Sequence, residues 1–288
     1  MKLKAELHCH SHYSVREVLP VEGLDSPASM VKYAGKLGIQ IMALTDHDVI
    51  KGWKEALKAG RKYDVTIIPG EEISVQGDVH MLGLGLTERV KPNLGVLETI
   101  DEIKSQGAIS IASHPFDVLD KGIKEQAKYC TAIEAFNSIN LDRLANRKAK
   151  QFAIKNKKPM TAGGDVHCLA MFGRGITMID CEPEMESVLK AIRKGKTDIS
   201  KAKYQKIEVM QDWTMKRLQL SQPNVIQYME KNYSMPKRVI SKKLLTLTKY
   251  SPGKIDYIFR GLSYLAVGGS VLYSTAKQIG RGLKRKKN

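Results

Sequence analysis

Eight short runs of aliphatic and β-branched residues recur through the first two hundred positions of this chain, at 5–7, 39–44, 65–68, 79–84, 108–112, 132–135, 160–162 and 175–178. Helical patterns separate several of them. Ser26-Pro27 reads as an N-cap followed by proline at the first helical position, and Met30, Val31, Ala34 and Leu37 supply one apolar face that ends at Gly38. Segments 50–62, 92–106, 141–155 and 184–194 read the same way. Such alternation favours a mostly parallel sheet, open or closed into a barrel. No repeat of fixed period is visible.

Charge divides the 288-residue chain in two. Residues 1–200 carry 28 Lys and Arg against 26 Asp and Glu, a net +2, whereas residues 201–288 carry 19 against 4, a net +15. We therefore expect a balanced unit over 1–200 and a basic unit over 201–288. The 42% hydrophobic and 27% charged content excludes wholesale disorder and fibrous architectures. Four scattered cysteines form no CxxC pair and fit reduced thiols, hence a cytoplasmic protein. The start, MKLKAELHCH, lacks the apolar core of a signal peptide, and the longest uncharged apolar stretch, 261–276, contains Gly268-Gly269 and falls short of a spanning helix.

None of the seven histidines lies inside a helical pattern. His8, His10 and His12 stand in LHCHSHYS, His47 in LTDHD, His80 in GDVHML, His114 in ASHPF and His167 in GGDVHC, most of them at strand ends beside carboxylates. In parallel β/α architectures the C-terminal strand ends form one rim, so imidazoles spread along 160 positions can meet in space. Imidazole nitrogen with carboxylate oxygen suits Zn, Mn or Fe. His8 and His10, two apart, point to one side and can grip one ion, and Asp165 with His167 repeats the spacing. Glu71-Glu72 after Pro69-Gly70 can place a carboxylate between two ions. Cys9 and Cys168 alternate with these groups and read as packing residues turned away from them.

The motifs HCHSHYS, LTDHD, PGEEIS, VHMLGLG, SHP, IEAFNS and GGDVH, in that order over roughly residues 1–200, resemble the PHP (polymerase and histidinol phosphatase) family. The resemblance implies a distorted (β/α)7 TIM-like barrel that hydrolyses phosphoesters with two or three divalent ions. Beyond it, apolar residues at helical spacing (Val239, Ile240, Leu244, Leu245, Leu247) suggest a small, basic, mainly helical C-terminal extension. The resemblance also implies that His8, His10, Glu72 and Asp165 hold one ion, that Glu72 bridges to a second completed by His80 and His114, and that His47 and His167 take a third. Glu72 is preferred to Glu71 on the family's pattern, leaving Glu71 an ordinary polar residue. The acidic residue or histidine that usually completes the third site is displaced here by extra residues, and His12, Glu17, Glu22 and Asp25 are all candidates.

Two ions bridged by Glu72 would share a hydroxide that attacks phosphorus, with a group near His47 or His167 protonating the leaving alkoxide; these three residues are the catalytic candidates. Asp46 and Asp48 are expected either to orient the His47 ring or to form the turn or cap the helix that follows. Arg143, Arg147 and Arg174 are candidate phosphate grips, since guanidinium matches phosphate oxygens, and Asn137 is a further substrate candidate at a strand end. The expected function is a metal-dependent phosphoesterase acting on a nucleotide or an RNA or DNA end. The alternatives are a small-metabolite phosphatase resembling histidinol phosphatase and a non-catalytic nucleic-acid-binding protein with a structural metal. For residues 201–288 we weigh nucleic-acid contact first, then a helical cap on the barrel, then an anionic membrane surface.

Overall fold

The computed structural model describes residues 1–15, 19–140 and 143–285, with side chains as far as residue 276. All eight expected strands form: β1 (Lys2–Glu6), β2 (Ile41–Leu44), β3 (Thr66–Val75), β4 (Val79–Leu84), β5 (Ile109–Ala112), β6 (Ala132–Asn137), β7 (Met160–Gly163) and β8 (Gly175–Asp180). A ninth, β9 (Thr197–Ala202), pairs with β8 and carries the sheet past residue 200. Its sequence, TDISKA, is exposed and polar, an edge strand with no apolar run to announce it.

The strands form one sheet in the order β7-β6-β5-β4-β3-β2-β1-β8-β9. The expectation of a mostly parallel sheet needs correction. Four pairings are parallel, and β1–β8, β3–β4, β4–β5 and β8–β9 are antiparallel. Between β3 and β4 lie only Gln76, Gly77 and Asp78, far short of a crossover, and Gly77 and Asp78 turn the chain back with positive φ (+92° and +58°).

The sheet curls into a nearly closed barrel of nine strands rather than seven. Threonine hydroxyls bind the seam where the backbone ladder lapses. Thr177 donates to the Ala162 carbonyl (3.0 Å) and accepts from the Ala162 N–H (2.8 Å), while Thr197 donates to the Met160 carbonyl (2.8 Å). A Cβ at Gly175 would stand 2.2 Å from the Gly163 carbonyl oxygen, so the strands can approach this closely only without one.

Inside the curved sheet, Leu3, Ala5, Ile41, Ile68, Leu82, Ile111 and Ile179 form an apolar cluster with Val188, Leu189 and Ile192 of helix Met185–Arg193. Outside it, α1 (Pro27–Lys36) and α2 (Trp53–Tyr63) cover the opposite face of β2 through Met30, Val31, Ala34, Ala56 and Ala59. Being covered on both faces explains why β2 reads as the continuous run IMAL. Ser26 caps α1 as expected, its hydroxyl accepting from the Ser29 N–H (3.2 Å). Helices α3 (Val96–Ser105) and α4 (Arg143–Lys155) complete the shell, and the helix packed on the inner cluster is α5 (Met185–Arg193). Four more follow the barrel: α6 (Ile207–Leu220), α7 (Gln222–Asn232), α8 (Lys237–Leu247) and α9 (Ile255–Arg285). The first packs directly on the barrel, with Trp213 in the same cluster as Met42 and Leu44.

Candidate metal centre

Parallel strands deliver their C-terminal ends to one rim, and the antiparallel β4 delivers its beginning there. His80, one residue into β4 and paired with Ser74, therefore reaches the rim from the opposite chain direction. Nine side chains converge there, all buried: His8, His10, Glu22, His47, Glu72, His80, His114, Asp165 and His167. His114 and Asp165 hold left-handed backbone (φ +28° and +49°), a conformation costly for side-chain-bearing residues and typical of constrained sites.

Glu72 sits at the centre. Its Oε2 lies 3.2 Å from His8 Nε2, 3.2 Å from His10 Nε2 and 3.1 Å from His47 Nε2. Its Oε1 faces a different pair, His80 Nδ1 at 3.3 Å and His114 Nε2 at 3.1 Å. One carboxylate thus divides the imidazoles into two sets, as a carboxylate shared by two cations does. Asp165 adds an oxygen 3.3 Å from His10 Nε2 and 3.5 Å from His8 Nε2. Ligand atoms of His8, His10 and Glu72, of His10, Asp165 and His167, of His10, Glu22 and His47, and of His47, Glu72 and His80 each lie within 4.8 Å of one another.

Of the four candidates for the displaced third-site ligand, Glu17 lies outside the described residues. His12 is exposed and packs against Tyr13, and Asp25 accepts from the Leu169 N–H (2.9 Å). Glu22 alone of the described three reaches the cluster, 3.6 Å from His47 and 3.8 Å from His167. Glu71 points away and is fully buried rather than an ordinary polar residue: its Oε2 accepts from the Val90 N–H (2.9 Å), and burial pushes its carboxyl up to about 7.

Surrounding hydrogen bonds set the imidazole tautomers. His167 Nδ1 lies 2.8 Å from the Asp165 carbonyl oxygen, which can only accept, so the proton sits on Nδ1 and Nε2 offers its lone pair toward Glu22. Ser14 donates to Glu22 (2.8 Å), so its oxygen accepts from His10 Nδ1 (3.3 Å) and from the His47 backbone N–H (3.2 Å). His10 Nε2 is then left buried without a hydrogen-bond partner, aimed between two carboxylates. Such an orphaned nitrogen among oxygen donors is what a divalent transition ion satisfies, and the residues fit two or three of them.

Glu134, in the IEAFNS run, was not singled out from sequence. It is buried, accepts from His8 Nδ1 (2.9 Å), and binds the His114 backbone N–H (2.8 Å) and the Asn137 amide (3.0 Å). A Cβ at Gly163 would fall 2.0 Å from its Oε1, so the glycine makes room for it. Outer partners of this kind orient metal-bound histidines. Glu134→Gln is accordingly expected to weaken metal affinity by roughly 10- to 100-fold with the fold retained, measured by competition with a chromophoric chelator.

Electrostatics agree with a cation nest. Burial opposes ionisation of Glu72, yet His47, His8 and His80 hold it well below the usual carboxylate range; His8 and His10 do the same for buried Asp165, and His47 with His167 for Glu22. In return, despite their burial, Asp165 and Glu72 push His10 up to about 9, and Glu72 pushes His114 up to about 9. His167 is lowered, first by burial and then by His10.

The cluster opens into a cavity of about 160 Å³ whose other walls include Asp117, Val118, Leu119, Lys121, Ile139, Asn140 and Trp213. Lys121 is its basic residue among those described, and it pairs with Asp78. The structure does not bring the three sequence-nominated arginines here. Arg143 and Arg147 stand exposed on α4, whose buried face is Ala145, Asn146, Ala149 and Ala153, and Arg143 stacks over Tyr204. Arg174 is half-buried beyond the cavity wall. Asn137 is fully buried and donates to Asp165 (3.1 Å) and Glu134, behind the metal-facing atoms. Asp46 holds the Ser11 backbone and hydroxyl, Asp48 holds Ser74, and Gly52 stands at the α2 N-cap, so neither aspartate caps that helix. Cys9 is buried in the core, whereas Cys168 is only half-buried.

The basic extension reaches the site through α6. The Trp213 indole N–H donates to the Glu22 carbonyl (2.8 Å), and its ring packs on His167 with centroids 4.5 Å apart. Arg217 stacks on Trp213 (4.4 Å) and donates to the Val21 carbonyl (3.0 Å). Trp213→Ala should cost about 3–5 kcal/mol of stability and release the Glu22 segment. Elemental analysis during chelator titration is expected to show the ion nearest His47 and His167 leaving first, whereas Trp213→Phe, which keeps the ring, should retain most of it.

A nearly closed α/β barrel of this kind is the fold of the PHP-like metal-dependent phosphoesterases. A two-domain Bacteroides vulgatus protein containing such a domain superposes with a TM-score of 0.58, covering 74% of this chain and 69% of that one at 19% identity. Residues 143–197 match the family model described as PHP-associated. An uncharacterised Methanocaldococcus jannaschii protein is 32% identical over 160 residues, 53% of this chain and 92% of its own length. The 5'-3' exoribonuclease of Haemophilus influenzae is 31% identical over 114 residues, 38% of this chain and 39% of that one. The chain belongs to the PHP family.

Proposed function

We propose that this protein is a metal-dependent phosphoesterase that removes or cleaves at a phosphate on a nucleotide or a nucleic-acid end. The observation that carries the reading is the division of five imidazoles between the two oxygens of buried Glu72. His8, His10, Glu72 and Asp165 would hold one ion, Glu72, His80 and His114 a second, and His47, His167 and Glu22 a third. When bound, such ions generate a nucleophile from water at neutral pH and stabilise charge on phosphoryl oxygens. A structural ion needs one closed tetrahedral set, and this open, multi-carboxylate cluster beside a cavity is a poor fit to that role.

The chain's own groups set the substrate's pose. Lys121, held by Asp78, presents a cation at the cavity wall for a phosphate oxygen. Val118, Leu119 and Ile139 form an apolar wall suited to a sugar or base edge. Burial and then His10 lower His167, whose Nδ1–H donates to the Asp165 carbonyl. The likeness to an exoribonuclease supports a nucleotide end over a free metabolite.

The test is phosphate or nucleotide release from p-nitrophenyl phosphate, nucleoside bisphosphates and short 5'-phosphorylated RNA, with Mn or Zn supplied. A kcat/KM on a nucleotide substrate at least about tenfold above that on p-nitrophenyl phosphate is the expected result, equivalent to one further contact of about 1.4 kcal/mol. Turnover of small phosphate monoesters alone would assign a metabolite phosphatase. No turnover by metal-loaded protein would refute the enzyme reading.

A further inference from the structure

We propose that helix α9 is an interfacial anchor that lays its outer face on an anionic lipid bilayer. On its inner flank α9 meets α6, where Gln211 donates to the Asp256 carbonyl (3.0 Å) and Arg260 to the Gln211 side chain (3.4 Å). The side chains turned outward should be polar on a helix bathed in water. They are not. Ile258, Leu262, Leu265 and Leu272, spaced to fall on one helical stripe, are 60%, 46%, 73% and 74% exposed. Tyr257, Tyr264 and Tyr273 flank that stripe, each more than half exposed, with the amphipathic character that suits a headgroup layer.

The pattern belongs to this region and not to the surface at large. Of 23 large exposed hydrophobic residues described, 15 lie between Leu220 and Tyr273, including Val239, Ile240 and Leu244 of α8. A stripe of exposed leucine and isoleucine along one helix marks an interaction surface.

Charge decides between occupants. Residues 201–288 carry 19 basic against 4 acidic side chains, and basic residues bracket the apolar stretch in sequence: Lys254 before it, Lys277 and Arg281 after it, then a KRKK run. Residues 261–276 carry no charge at all. A nucleic-acid groove would set lysines and arginines along the outward face, where α9 sets leucines. A second copy would bring two strongly basic units together. An anionic bilayer complements both parts, taking the apolar stripe into its acyl boundary and the cations at its headgroups. No described helix is long and apolar enough to cross the membrane, so α9 would lie in the interface.

The experiment is sedimentation of the full chain with sucrose-loaded vesicles of phosphatidylcholine, with and without about 30 mol% phosphatidylglycerol, at low and high salt. Wild-type protein should bind the anionic vesicles at least about tenfold more tightly than the neutral ones, with affinity falling as salt rises. The double variant Leu265→Glu, Leu272→Glu, which alters only exposed side chains, should keep the wild-type circular dichroism and metal content while losing at least about tenfold in vesicle affinity. Equal binding to both vesicle types, no binding to either, or undiminished binding by the variant overturns the proposal. So does a wild-type dimer in light scattering that the variant converts to monomer, which would assign the face to a second copy. Tight binding of single-stranded RNA, abolished by the same variant in place of vesicle binding, would assign it to nucleic acid. None of these outcomes depends on whether the barrel hydrolyses phosphoesters.

Discussion

Glu72→Gln is expected to abolish measurable turnover, lowering kcat by about 10³-fold or more, because bound ions supply several kcal/mol of charge stabilisation and each 1.36 kcal/mol is a factor of ten. The substitution preserves shape but removes the charge that both imidazole sets face. His8, His10 and His47 approach one oxygen and His80 and His114 the other, so a neutral amide leaves five buried imidazoles competing for a single carbonyl acceptor. Elemental analysis should show lower metal content, and steady-state assays should show the loss in kcat persisting at saturating Mn or Zn. Glu71→Gln is the control. Its carboxyl faces Val90 and Arg89 on the other side of β3, so turnover should stay within a few-fold of wild type. A reversed ranking of the two variants would show that the bridging oxygen belongs to Glu71.

The contrast between these neighbours shows what could be read ahead of the structure. Along a strand, Glu71 and Glu72 point to opposite faces, so only one can reach the rim, but which one depends on register within the barrel. Most of the histidines were legible because strand ends are marked by the switch from an apolar run to polar residues, and β/α geometry collects those ends. His80 belongs to the set through a hairpin that the sequence left hidden, because the polar run EEISV after Pro69-Gly70 conceals that β3 continues to Val75. Glu22 was hidden among four candidates because its place is decided by Ser14 and by Trp213 and Arg217, nearly two hundred residues away, contacts no local pattern encodes. Glu134 looked like part of an apolar strand because it is buried among apolar neighbours, and its role exists only relative to His8 and His114. The α4 arginines looked available because arginine suits phosphate; the apolar stripe of α4 turns them outward. Lys121 sits in a loop without periodicity, where sequence offers nothing to rank it by.

Metal uptake should release protons, and affinity should climb steeply with pH. In the metal-free protein, His10 and His114 are both pushed up to about 9, chiefly by Glu72 and Asp165 overcoming burial, and His8 is raised for the same reason. A coordinating imidazole must be neutral. Below about 9, binding therefore displaces a proton from His10 at the first ion and from His114 at the second, and the apparent dissociation constant of each ion should fall by at least about tenfold per pH unit, flattening where these imidazoles are already neutral. Calorimetry in buffers of different ionisation enthalpy would count the protons directly; a count near zero at pH 7 would contradict the charge balance of the nest. Stability without metal should run the other way. A histidine whose folded value lies above its unfolded value of about 6.5 stabilises the fold fully below that pH and ceases to do so as pH rises through about 9. The chelated protein is thus expected to melt at lower temperature at pH 9.5 than at pH 6.5, while the metal-loaded protein gains over the same interval. The two melting curves should diverge because protons and divalent ions are alternative counter-charges for the same three carboxylates, Glu22, Glu72 and Asp165.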